Sequence, residues 1–154
     1  MILAAAVAAA FGAWADEETV GGYTWTYQIN GDTAEIDNDF FAAISPKPTG
    51  AVAIPSTLGG KPVTSIGDYA FNGCSGLTSV MIPDSVTNIG YAAFGGCIAL
   101  TEVEIPGSVE NLGSFVFFYC SGLVNVTFGD GVPFVGDYMF AGCKIGRASC
   151  RERV

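Results

Sequence analysis

At 154 residues, half of them apolar, the chain has room for one domain built round one core. Fifteen acids against six bases give a net charge of −9 and leave no cluster of Lys and Arg to neutralise phosphates, which excludes nucleic acid as a partner. Histidine is absent, so any enzymatic reading must lean on carboxylates or thiols.

Residues 1–15 read as a signal peptide. Ile2 to Ala15 carries no charge and ends in Ala13-Trp14-Ala15, whose alanines flank a cleavage site, with Asp16-Glu17-Glu18 beginning the mature chain. The run is too short for a bilayer, which needs about 20 apolar residues, so no integral membrane span is expected. No Lys or Arg precedes it, which leaves a start upstream of Met1 or a buried N-terminal helix as alternatives.

Residues 16–51 read as an N-terminal β-hairpin cap and linker. Tyr23, Trp25, Tyr27 and Ile29 alternate with polar residues, the period of a half-buried strand. Asn30-Gly31 favours a type I′ turn, which would return Ala34 and Ile36 opposite Tyr27 and Trp25. Phe40 to Ile44 continues apolar before the Pro46-Lys47-Pro48 linker. Asp32, Asp37 and Asp39 lack the regular spacing and closing glutamate of a calcium loop, so they read as solvated carboxylates and no metal is expected.

Residues 52–144 carry one pattern that recurs every 23 residues. Phe71, Phe94, Phe117 and Phe140 form one column, Cys74, Cys97, Cys120 and Cys143 a second, and Gly67, Gly90, Gly113 and Gly136 a third. Ile66, Ile89, Leu112 and Val135 align, as do Leu77, Leu100 and Leu123, then Val80, Val103 and Val126, then Ile82, Ile105 and Phe128. A fixed period of this length marks a repeat solenoid, each repeat one rung stacked on the next. In the first rung Leu58-Gly59-Gly60-Lys61-Pro62 is an insertion read as a protruding turn, with register restored at Val63.

Within a rung such as Leu100 to Ile105, Val103 and Ile105 point inward while Glu102 and Glu104 face water, as in a short parallel strand. Pro83 and Pro106 end the strands. The column glycine reads as the residue that permits a turn, and Ala92-Ala93-Phe94 as one helical turn whose Phe plugs the core.

The string Ile82-Pro83-Asp84-Ser85-Val86-Thr87-Asn88-Ile89-Gly90-Tyr91-Ala92-Ala93-Phe94-Gly95-Gly96-Cys97-Ile98-Ala99-Leu100 closely resembles the BspA-like leucine-rich repeat. The Gly-Gly-Lys-Pro-Val-Thr-Ser-Ile-Gly run ending at Gly67 is similar to that family's first repeat. The resemblance implies a right-handed leucine-rich repeat solenoid of short parallel strands and short helical turns, secreted or held at the cell surface, with adhesion to host proteins or other cells. Phe128-Gly129 in place of Ile-Pro, and Val132-Pro133-Phe134 in place of a polar turn, depart from the pattern.

Stacked cysteines would have Cα atoms about 4.8 Å apart, a distance that permits disulfides, but parallel Cβ vectors hold the sulfurs near the rung spacing instead of the ~2.05 Å of a bond. Buried, reduced thiols are the favoured reading, and a secretory context argues for the bridged alternative. With no CxxC spacing and no histidine, zinc is not expected, nor is any cofactor. Residues 145–154 break the period and hold Arg147, Arg151 and Arg153; this stretch resembles the translation of a sequencing-library adapter and reads as a non-native tail.

Two functions of different class follow. The strand face displaying Ser79, Met81, Glu102, Glu104, Asn125 and Thr127 in two columns is the candidate site for a protein or cell-surface ligand, with a structural spacer for some further domain as the alternative. Glu102 and Glu104, about 7 Å apart, are spaced like the paired carboxylates of glycan-acting enzymes, but no pocket-forming loops are visible to shift either pKa, so the expectation is not an enzyme. Asn125-Val126-Thr127 is also a glycosylation sequon on that face.

Overall fold

The computed structural model describes residues 15–37, 42–133 and 138–145. The signal segment up to Trp14, Asp39 and Phe40 of the cap, Phe134, Val135 and Gly136 of the fourth repeat, and the tail from Gly146 lie outside the described residues.

Three antiparallel strands come first: β1 (Asp16–Val20), β2 (Tyr23–Asn30) and β3 (Thr33–Ile36). The first of these carries no strand signal in its sequence. Gly21 and Gly22, at φ 63° and 84°, form the two-residue turn that folds it back on β2. The second turn is Gly31-Asp32 and not Asn30-Gly31: Gly31 alone is left-handed, at φ 66°, as the glycine-first type II′ turn requires. Pairing therefore moves by two residues, so that Ile36 lies opposite Tyr27 and Ala34 opposite Ile29. An even shift keeps every side chain on its face, and Trp25, Tyr27, Ala34 and Ile36 are all buried. β4 (Ile44–Ser45) pairs antiparallel with β2 at Thr24 and Trp25, on the edge opposite β1 that β3 occupies further along.

The repeats build two sheets. One follows the order β12-β10-β8-β5, with β5 (Thr49–Ala53), β8 (Gly76–Met81), β10 (Glu102–Ile105) and β12 (Asn125–Phe128) all parallel. The other runs from β3 through β7 (Lys61–Ile66) and β9 (Asn88–Ile89) to β11 (Asn111–Leu112), also parallel, so the hairpin's return strand begins the parallel run and β1 and β2 extend the same sheet. β6 (Thr57–Leu58) folds antiparallel onto β7 through Gly59 and Gly60. The insertion expected to protrude is thus packed down: Leu58 is fully buried, and Gly59 donates to the Glu18 carboxylate at 2.8 Å.

The third side of each rung is a run of turns; among the described residues there is no helix. Left-handed residues at both ends of the segment prevent the expected helical turn: Tyr69, Ala92, Phe115 and Tyr138 at one end, Gly73, Gly96, Tyr119 and Gly142 at the other. Backbone amides bond instead to the following rung, as in Phe71 N to Ala93 O at 2.7 Å and Phe94 N to Val116 O at 2.9 Å. The phenylalanines stack above one another with centroids 4.9, 5.6 and 5.7 Å apart, and Trp25 lies edge-on to Phe71 at 6.0 Å.

The glycine column serves a purpose other than the expected turn. Gly67, Gly90 and Gly113 are not left-handed. They lie where successive backbones touch: a Cβ on Gly90 would sit 2.7 Å from the Gly67 carbonyl carbon, and one on Gly113 2.6 Å from that of Gly90. That approach lets Gly90 and Gly113 donate to the carbonyls of Ile66 and Ile89, each at 2.7 Å.

Candidate ligand-binding face

Val52, Val80, Val103 and Val126 point from β5, β8, β10 and β12 into the core, so their neighbours along each strand must point out. Register brings the outward residues into columns. Ala51, Ser79, Glu102 and Asn125 pair successively across the four strands, and Ala53 pairs with Met81 as Glu104 does with Thr127. All six residues singled out from sequence stand on this one face. Pro83, Asp84, Pro106 and Gly107 border it to make an open groove of about 1070 Å³, and among the described residues no Lys or Arg lines it.

Met81 is 70 % exposed, the largest apolar surface on the face, beside Ala51 and Ala53. Sequence reasoning missed those two alanines and Asp84, because the insertion after Ile54 hides the first rung's period and the Gly50/Ala51 bulge weakens its strand pattern. Glu102 and Glu104 stand in solvent. Of the loop carboxylates, Asp32 pairs with Lys61 at 2.8 Å and Asp37 accepts from Gln28 at 3.4 Å. Among the described residues no cluster of acids and cysteines is arranged to hold a metal ion, and no helix is long and apolar enough to cross a membrane.

The cysteine column is thiol throughout Cys74, Cys97, Cys120 and Cys143. Cys97, Cys120 and Cys143 donate S–H to the carbonyls of Phe71, Phe94 and Phe117 in the preceding rung at 3.3, 3.0 and 2.9 Å. Burial pushes the Cys74 thiol up to about 11. At Cys120 the hydrogen bond with Cys143 pulls down, but that with Cys97 and burial together outweigh it and hold the thiol at about 12.

The second sheet's outer face has a smaller groove of about 660 Å³, where Ser65 donates to Glu35 at 3.2 Å and Asn111 to Asn88 at 2.7 Å. Along its border runs an aromatic ladder of Tyr69, Tyr91, Phe115 and Tyr138, with centroids 5.4 to 5.5 Å apart. The sequence concealed this ladder because Tyr91 occupies a different repeat position from the other three, so no single column is aromatic.

The chain is similar to several bacterial proteins of solved structure. A leucine-rich repeat protein from Eubacterium ventriosum is 30% identical over 76% of this chain and 31% of its own, with a TM-score of 0.55. The Treponema pallidum leucine-rich repeat protein is 27% identical over 76% of this chain and 64% of its own, with a TM-score of 0.51. The pneumococcal vaccine antigen PcpA, at 18% identity over 84% of this chain and 42% of its own and a TM-score of 0.51, shares the fold. This chain therefore spans less than two thirds of the length of each. Among curated protein sequences none matches it. The family model for the BspA type leucine-rich repeat region matches residues 34–154 in six copies, beginning within β3. With parallel rungs, stacked phenylalanines and this match over most of its length, the chain belongs to the BspA type leucine-rich repeat family.

Proposed function

We propose that this chain is the recognition part of an exported, surface-held protein, and that it binds a protein or cell-surface ligand through Ser79, Met81, Glu102, Glu104, Asn125 and Thr127. The observation that carries the reading is the in-register display of these side chains on an open parallel sheet, a regular surface of the kind solenoids use to meet extended partners. Membership of a family whose fold generally serves structure and binding supports it, and the apolar run at residues 1–15 supports export. The aromatic-edged hairpin, with Trp25 against Phe71, acts as the cap of the first rung.

The test is attachment of the purified protein to epithelial cells and immobilised extracellular-matrix proteins. Ser79→Trp and Asn125→Trp each place a large ring on the exposed face without entering the core. Each is expected to abolish attachment while leaving thermal stability unchanged. Equal attachment by the variants, or none by the parent, would sink the proposal and favour the spacer.

A further inference from the structure

On the same face, charge is divided unevenly. The groove residues that β5 and β8 turn outward, Ala51, Ala53, Ser79 and Met81, carry no charge, whereas β10 presents Glu102 and Glu104, with Asp84 at the border as a third carboxylate. Their neighbours in register are Ser79, Asn125 and Thr127, none of them basic. Among the described residues the salt bridge, Lys61 with Asp32, joins β7 to the turn of the N-terminal hairpin, away from this groove. Two like charges thus stand side by side on a strand, and among the described residues no cation lines the groove to offset them, an arrangement that favours a ligand bringing positive charge.

Spacing narrows the class of that ligand. Glu102 and Glu104 are two residues apart on one strand, so their Cα atoms are about 7 Å apart, the same interval that separates alternate side chains of any extended peptide. Two bases at alternate positions of a peptide lying along β10 would therefore meet both carboxylates at once. One rung away stands Met81, 70 % exposed and deformable, where the aliphatic stem of Lys or Arg can lie. Among the described residues the groove's lining contains no aromatic ring, so a neutral glycan would find no ring to stack on.

From the groove, its unpaired carboxylates and the exposed methionine, we propose that the occupant of this face is an extended segment of a partner protein with Lys or Arg at alternate positions, lying along β10. This rests on the recognition reading above and adds the chemistry of the ligand. The readout is fluorescence anisotropy with two labelled eight-residue peptides of equal composition, one with lysines alternating with threonines and one with the lysines contiguous.

The alternating peptide is expected to bind about tenfold more tightly than the contiguous one, and more weakly as salt rises. Glu102→Gln with Glu104→Gln is expected to erase that preference, and Met81→Ser to weaken binding about threefold. All of these positions are exposed, so an unchanged unfolding temperature in each variant confirms that the fold is kept. Equal binding of the two peptides, or a preference that survives the double substitution, overturns the proposal by showing only attraction to an acidic chain. If neither peptide binds but cell attachment still depends on Ser79 and Asn125, recognition stands and the basic-segment ligand falls.

Discussion

Two residue positions in each rung look alike in sequence and differ in physics. Gly113 is fixed by contact, with backbone where its Cβ would go, whereas Gly96 is fixed by its φ of 70°, since the nearest atom to its Cβ is 3.7 Å away. In the third rung the latter position is Tyr119, held at φ 56° and 61 % exposed. A left-handed non-glycine residue costs about 1–2 kcal/mol, and the exposed ring recovers part of this against Phe118 at 4.3 Å. Tyr119→Gly is thus expected to raise stability by about 0.5–1 kcal/mol, and Gly113→Ala to lower it by about 3 kcal/mol or more. Urea denaturation measures both; a destabilising Tyr119→Gly would mean that the ring contributes more than the backbone loses.

The thiols can be followed the same way. A free cysteine ionises near 9.0, but folded Cys74 and Cys120 keep their protons to about 11 and 12. Above pH 9 the unfolded chain's thiols hold fewer protons than the folded ones, so their contribution to stability should be constant from neutral pH to about 9 and fall as pH rises towards 12. At pH 8 iodoacetamide should leave the native column unlabelled and modify Cys74, Cys97, Cys120 and Cys143 once urea is added without reductant. Mass spectrometry would reveal a disulfide as cysteines that stay unlabelled in urea.

At the scale of elements, legibility followed the length of the pattern. The alternation in Tyr23–Ile29 and in Glu102–Ile105 is long enough to fix which face is buried: Trp25, Tyr27, Val103 and Ile105 match it, while Tyr23 is half-buried and Ile29, near the end of β2, is exposed. β9 and β11 have two residues each, too few to show any period, and exist because neighbouring rungs supply their partners. β1 was hidden for another reason: Asp16-Glu17-Glu18 has the composition of a solvated terminus, and it is the tight turn at Gly21-Gly22 that brings it against β2. The hairpin register shows a rule applied one position too early, because Asn-Gly and Gly-Asp turns compete within Asn30-Gly31-Asp32 and choosing the latter leaves Asp32 facing Lys61. On the candidate face, parity alone placed the six outward residues, while the anionic groove required Asp84, which only the bend after Pro83 brings alongside.

Across the whole molecule, contacts run between adjacent rungs, so stability should depend on how many neighbours a side chain has along the stack. Phe94 is fully buried between Phe71 and Phe117, with both rings nearly parallel to its own. Phe140 stacks on Phe117 at 5.7 Å and is only half-buried. Phe94→Ala removes packing from two interfaces and is expected to cost about 4 kcal/mol; Phe140→Ala removes about half as much. The amide pattern should differ too. Since Phe94 N bonds to Val116 O and Phe71 N to Ala93 O, loss of the central ring loosens rungs on both sides, and hydrogen exchange should quicken from Phe71 to Phe117. With Phe140→Ala the faster exchange should stay near Tyr119 and Cys143. Equal costs for the two substitutions, with exchange changed evenly along the chain, would show a core that acts as one body and not as a stack of coupled layers.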